Sequence, residues 1–333
     1  MSENARLYSV VCSKIGLAML LFYAFFTLST FGVAIFSSVL GSFINPFTAD
    51  IIYEILLAIV YFLSFSAGAF ILRKITKDMP TARSIYTSFN LSKYFVLLII
   101  AIIAVNYTLA FLNSILVTSI VPSFGTGVAT QGADLEGKSI TQTVILFIIS
   151  IVSTAVVPAI CEEYLFRGAV LPNLLPFGQT TAIIGSAFLF GLMHQNPMQM
   201  LYTTLMGVVL GYVYVKTKSI WACMIIHFVN NLITVFEEYL PHFTNSEWVV
   251  ALMNLIIIIA GSISFALILF KRDKEPSIDE NGSFGVVYER GMDVDEYELT
   301  RKERVKSFFA PTMIIYTAIS VFLMLKILVS YFI

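Results

Sequence analysis

The sequence predicts an all-α fold, a polytopic transmembrane helix bundle, and three observations carry that prediction. Hydrophobic residues make up 58% of the chain and charged residues 12%, about half the share usual in soluble domains. Apolar runs of about 20 residues, the length needed to cross a bilayer, recur along all 333 positions. Lys and Arg collect on alternate connections between those runs.

The runs fall at 15–40, 51–72, 95–120, 142–162, 180–195, 199–215, 219–236, 248–270 and 312–333. That makes nine spans, or eight where the short fifth and sixth form one re-entrant unit. The first run follows Arg6 and Lys14, but it is too long for a signal-peptide core and lacks a small-residue cleavage site, so it reads as a span. Alternation from a cytoplasmic N-terminus puts 18 of the 20 Lys and Arg on the inner side; Lys138 alone lies outside, and Lys326 falls within the last span. The expected protein is an integral, multi-pass membrane protein, placed in the cell membrane if its source is bacterial. Residues 1–333 read as a single polytopic domain. The outer loop 121–141 is rich in Gly, Thr and Ser. The inner loop 271–311 is charged, polar and largely unpatterned, and tethers the last helix.

Some functions are excluded early. No basic patch suits a nucleic acid partner. Cys12, Cys161 and Cys223 contain no C-x-x-C pair and suggest neither a disulfide framework nor a thiolate metal site.

An ionisable side chain at membrane depth is costly, so each one is a functional candidate. They cluster. The fourth span ends in Cys161-Glu162-Glu163-Tyr164-Leu165-Phe166-Arg167-Gly168, the fifth in Phe190-Gly191-Leu192-Met193-His194, and the seventh holds His227-Phe228-Val229-Asn230-Asn231. With a turn at Gly178, Glu162 lies 16 residues before it and His194 lies 16 after it. Both then sit roughly 24 Å along antiparallel helices, at one depth. Asn231 is one turn from His227 on the same face. Glu163 and Arg167 are spaced i, i+4 for an ion pair, whereas Glu162 points about 100° away, toward the histidines. Pro158 removes a backbone donor and is expected to kink the helix. Glu54 and Lys326 are further intramembrane charges, and Gly207-x-x-x-Gly211 permits close packing.

Glu162-Glu163-x-x-x-Arg167, Phe190-x-x-x-His194 and His227-x-x-x-Asn231, in this order, resemble the CAAX prenyl protease and bacteriocin-processing family, also called the abortive-infection family. The resemblance covers roughly 142–236, spans four to seven, which become the expected catalytic core. It implies an intramembrane endopeptidase similar to the Ras-converting CAAX endopeptidase, acting on a membrane-associated peptide or membrane-protein substrate, either lipidated or a peptide precursor. By that likeness Glu162 activates water with help from His194, and His227 and Asn231 stabilise the oxyanion. Glu163, Arg167 and Phe190 are supporting residues. Two chemistries remain open. A desolvated carboxylate can act as general base without metal, and Glu162, His194 and His227 can equally hold Zn²⁺ with an open position, as in a metalloprotease. The polar cluster has other readings too: a hydrogen-bonded glue between helices, a catalytically silent scaffold or bacteriocin-immunity protein, or a proton-relay transporter, for which the matching halves are not evident. The charge sorting puts the Gly178 turn inside, so the cavity is expected to open toward the cytoplasmic leaflet.

Overall fold

A computed structural model of the chain describes residues 1–82, 93–120, 135, 137–244, 246, 248–271 and 297–330. The fold is all-α. Every predicted apolar run is helical: α1 is Glu3–Leu40, α2 Pro46–Ile75, α3 Lys93–Ile120, α4 Ile140–Phe177, α5 Gln179–Met193, α6 Pro197–Thr217, α7 Ile220–Thr244, α8 Trp248–Lys271 and α10 Pro311–Ser330. The short helix α9, Arg301–Phe308, lies within the 271–311 loop, so the end of that loop is patterned after all. Its capping box explains why: Thr300 Oγ1 accepts from the Glu303 amide, and the Glu303 carboxylate accepts from the Thr300 amide. Residues 272–296 of this loop, and 121–134 and 136 of the outer loop, lie outside the described residues.

Local chemistry sets several helix starts. The Ser2 hydroxyl accepts from the Ala5 amide at α1. Asn45 accepts from Phe47, with Pro46 at the first helical position of α2. Ser139 and Gln142 form a second capping box at α4.

Among the described residues, seven helices are long and apolar enough to cross a membrane. Large side chains such as Leu28, Phe31, Phe70, Ile256 and Phe322 stay exposed, as a lipid solvent allows and water does not. The exceptional pair is α5 and α6. At 15 residues α5 rises about 22 Å, short of the hydrocarbon thickness. It packs against α6 as a hairpin whose tip, 194–196, stops partway along the bundle, and Gln195 turns there with a φ of 49°. Close approach within the hairpin depends on glycine. A Cβ on Gly207 would lie 2.9 Å from Ala187 Cα, and one on Gly191 would lie 1.9 Å from Thr204 Oγ1.

Around this hairpin, α2 packs on α4, α4 on α7, α3 on α6 and α8, and α1 on α2 and α10. The connections form two ends. At one, Lys14 Nζ donates to the Ile75 carbonyl at 2.6 Å, the Ala82 amide to Pro172 at 2.9 Å, the Tyr297 amide to Pro176 at 3.1 Å and Arg304 to Thr181 at 3.3 Å. At the other, Lys138 pairs with Asp50 at 2.8 Å. Residues 73–82, the Gly178 turn and 297–308 therefore share one end, the grouping expected from alternation. All three cysteines are free and buried.

Candidate active site

The helix that carries the two glutamates is not uniform. Two wider, π-type turns, Ile151–Val156 and Phe166–Val170, bracket the regular segment Val157–Leu165. In the first, the Val157 amide reaches back to the Val152 carbonyl. Pro158, expected to kink the helix, has no N–H for the Thr154 carbonyl four residues earlier. Asn231 Nδ2 donates to that carbonyl at 3.2 Å. The proline thus opens a backbone acceptor to α7, and an α7 side chain takes it. Such interruptions re-aim the residues that follow them and recur at functional sites.

Glu163 and Arg167 pair at 2.8 Å with both side chains fully buried, as the i, i+4 spacing predicts. A second partner went unforeseen. Glu163 Oε1 also lies 2.9 Å from His227 Nδ1. A carboxylate there only accepts, so the bond places a proton on Nδ1 and turns Nε2 toward Glu162, 3.9 Å from its Oε2. Glu163 is therefore more than neutralised, because it orients a histidine. Arg167 completes its own bonding by donating to the Gly207 carbonyl at 3.0 Å and lies over the Phe190 ring, 4.8 Å from its centre.

Glu162 points away from this pair, as its helical angle requires, and Tyr61 Oη of α2 donates to its Oε1. Its Oε2 has no hydrogen-bond partner. Tyr61 is held by a stack on Phe65, 4.4 Å between rings, and an edge contact with Phe26 at 5.6 Å. His194 caps the end of α5 with Nδ1 2.8 Å from the Phe190 carbonyl. A carbonyl also only accepts, so the proton sits on Nδ1 and the neutral ring offers its Nε2 lone pair. Phe190 lies between the histidines, 5.1 Å from one ring and 5.8 Å from the other.

Residues of all three motifs line one cavity of about 320 Å³, Glu162, His194, His227 and Asn231 together with Phe190, whereas Glu163 and Arg167 are not part of its lining. The cavity sits over the hairpin tip, and its lining continues along α7 to Thr234 and Glu237, away from the Gly178 turn. The opening was expected on the Gly178 side, whereas the lining extends away from it. Among the described residues, no three His, Cys, Asp or Glu side chains are grouped to hold a metal ion. Glu162, His194 and His227 are thus not grouped as a ligand set among the described residues, while the Glu163 bond to His227 Nδ1 leaves Nε2 free.

Sequence reasoning missed the rest of the lining. Tyr61, Tyr107, Gln199 and Tyr202 carry no signal in a chain with this many aromatics and small amides near helix ends. Asn106, which donates to Asn230 at 2.6 Å, was legible as an amide in the middle of an apolar run. Glu237 fell one residue beyond the assigned end of its span. Glu54, outside the cavity, accepts from Ser153 at 3.3 Å on a groove between α2 and α4.

No curated protein and no solved structure matches the chain. Residues 143–233 match the family model described as type II CAAX prenyl endopeptidase Rce1-like, the stretch that spans α4 to α7 and supplies both glutamates, both histidines and Asn231. The match covers this part of the chain alone, and the membrane helices set around it lie outside it.

Proposed function

We propose that the protein is an intramembrane endopeptidase in which Glu162 acts as general base toward water and cleaves a peptide bond of a membrane-associated substrate. One observation carries the reading: a buried carboxylate oxygen with no bonding partner faces a histidine nitrogen at 3.9 Å inside a cavity formed at membrane depth. Glu162 Oε2 takes the water proton as the oxygen adds to the carbonyl carbon and gives it to the amide nitrogen as the C–N bond breaks, and the His194 Nε2 lone pair holds the water in line. His227, polarised by Glu163, and the second N–H of Asn231 donate to the carbonyl oxygen as it becomes negative. For His227 to donate from Nε2 while Nδ1 is bonded to Glu163, its ring must carry both protons.

The basic end of the bundle is assigned to the cytoplasm on the positive-inside rule. The cavity then leads toward the outer leaflet, and a peptide precursor or membrane protein reaches it from there.

The test uses the full chain in nanodiscs with internally quenched peptides. Glu162→Gln is expected to lose about 10²–10⁴-fold in kcat, the usual range for a general base, with thermal stability unchanged. Cleavage at the wild-type rate by this variant would overturn the reading. Elemental analysis of active protein decides separately whether a metal accompanies it. For sidedness, a cysteine at Lys302 should resist impermeant reagents in intact cells while one at Lys138 labels.

A further inference from the structure

The far end of the cavity holds a carboxylate that the proposed chemistry does not use. Glu237 of α7 accepts from Asn254 Nδ2 of α8 at 2.7 Å and from Tyr107 Oη of α3 at 3.2 Å, both neutral donors. The other carboxylates of this region have cationic or ionisable partners: Glu163 has Arg167, Asp50 has Lys138 and Glu162 has His227. Among the described residues Glu237 has none within ion-pairing distance, and it lines the same cavity as Glu162. Glu54, which likewise lacks a cation, lies outside that cavity.

An ionised carboxylate at membrane depth is destabilising until a cation reaches it. Its two donors leave lone pairs unused, and the rings of Tyr107 and Tyr202 line the cavity beside it, surfaces that attract a cation. We propose that Glu237 is a specificity residue that receives an ammonium or guanidinium group of the substrate. The inference rests on the peptidase reading and adds a substrate class to it: an apolar peptide with a basic group at a set distance from the scissile bond. Glu237 follows His227 by ten residues on one helix. That is about 15 Å along the axis, which an extended peptide covers in four or five residues at about 3.3 Å each.

The experiment measures binding and cleavage with one peptide set. Fluorescent apolar nonapeptides carry a single lysine at each position in turn, with norleucine as the uncharged reference, and each is made with a free or an acetylated N-terminus. Binding is measured to the full chain carrying Glu162→Gln in nanodiscs, with and without Glu237→Gln. The amide keeps an acceptor for Asn254, and Glu237→Asp, which keeps the charge, serves as the second variant.

Lysine at one or two adjacent positions should tighten Kd about tenfold. Glu237→Gln should abolish that preference and Glu237→Asp should retain part of it. A preference that follows acetylation instead identifies the amino terminus as the bound cation. Equal binding of lysine and norleucine at every position, or a preference that survives Glu237→Gln, overturns the proposal. Wild-type cleavage of the same set separates the two readings. Cleavage without Glu237-dependent selection sinks this inference alone, whereas selection without any cleavage sinks the peptidase reading and leaves the cation site standing.

Discussion

The helices α4 and α8 look alike by composition and differ in everything else. Their most apolar windows have mean hydropathies of 2.7 and 2.4, yet about a third of the first is buried and only about a tenth of the second. Most of α8 faces lipid with Leu255, Ile256, Ile259 and Ile263, and it touches α3 closely where a Cβ on Gly261 would lie 1.9 Å from Ala104 Cβ. α4 is interrupted twice by wider turns and holds Glu162, Glu163 and Arg167 against four other helices. Apolarity puts a helix in the membrane. What it does there follows from the few polar groups that its neighbours must satisfy.

Glu163→Gln removes the counter-charge of a fully buried Arg167 and leaves His227 only a neutral acceptor. It should cost about 3–5 kcal/mol in stability, read as loss of folded protein in a detergent or thermal titration. Recovery of full yield in this variant would mean that the ion pair is incidental. Gly191→Ala drives a methyl into Thr204 and the Met200 carbonyl, which lies 2.9 Å from the new Cβ. About 1–3 kcal/mol of overpacking is expected, and because the hairpin tip carries His194, kcat should fall with it.

Tyr61→Phe deletes one hydrogen bond to Glu162 and no volume to speak of. A loss of about tenfold or more in kcat with KM preserved is expected, in line with about 1.5–3 kcal/mol for a bond to a charged group. Ile256→Ala on the lipid face of α8 should change stability by no more than about 0.5 kcal/mol. A large loss there would show that α8 is not the passive partner in this comparison.

The smallest effect lies outside the membrane, at the clasp between the N-terminus and α9. Hydrogen bonds from Ser2, then from Thr300, hold the Glu303 carboxyl at about 2, below its ordinary 4.5. A depressed acid contributes its stability above the ordinary value and loses it as pH falls through the folded one. Amide exchange at residues 2–6 and 301–304 should therefore be slow at pH 6 and speed up progressively from about pH 4.5 toward 2, beyond the intrinsic change. Glu303→Gln should remove that dependence.

Much of this was legible from residue order. Period and length placed all nine long helices, because lipid forces the backbone to satisfy itself locally. The i, i+4 spacing foretold the Glu163–Arg167 pair, and Glu162 and His194, equally far from Gly178 in sequence, line one cavity. What the sequence could not decide depends on contacts across helices. Tyr61 is about 100 positions from Glu162 and meets it only because α2 packs on α4. The Glu163–His227 bond and the Asn231–Thr154 bond depend on how α7 is rotated against α4. The hairpin that turns the cavity away from the Gly178 end depends on where α5 stops. Helix formation is a local balance of backbone bonds and solvent, so the sequence determined it alone; the approach of side chains from different helices depends on packing across the whole bundle, and only the tertiary structure decided which polar groups meet.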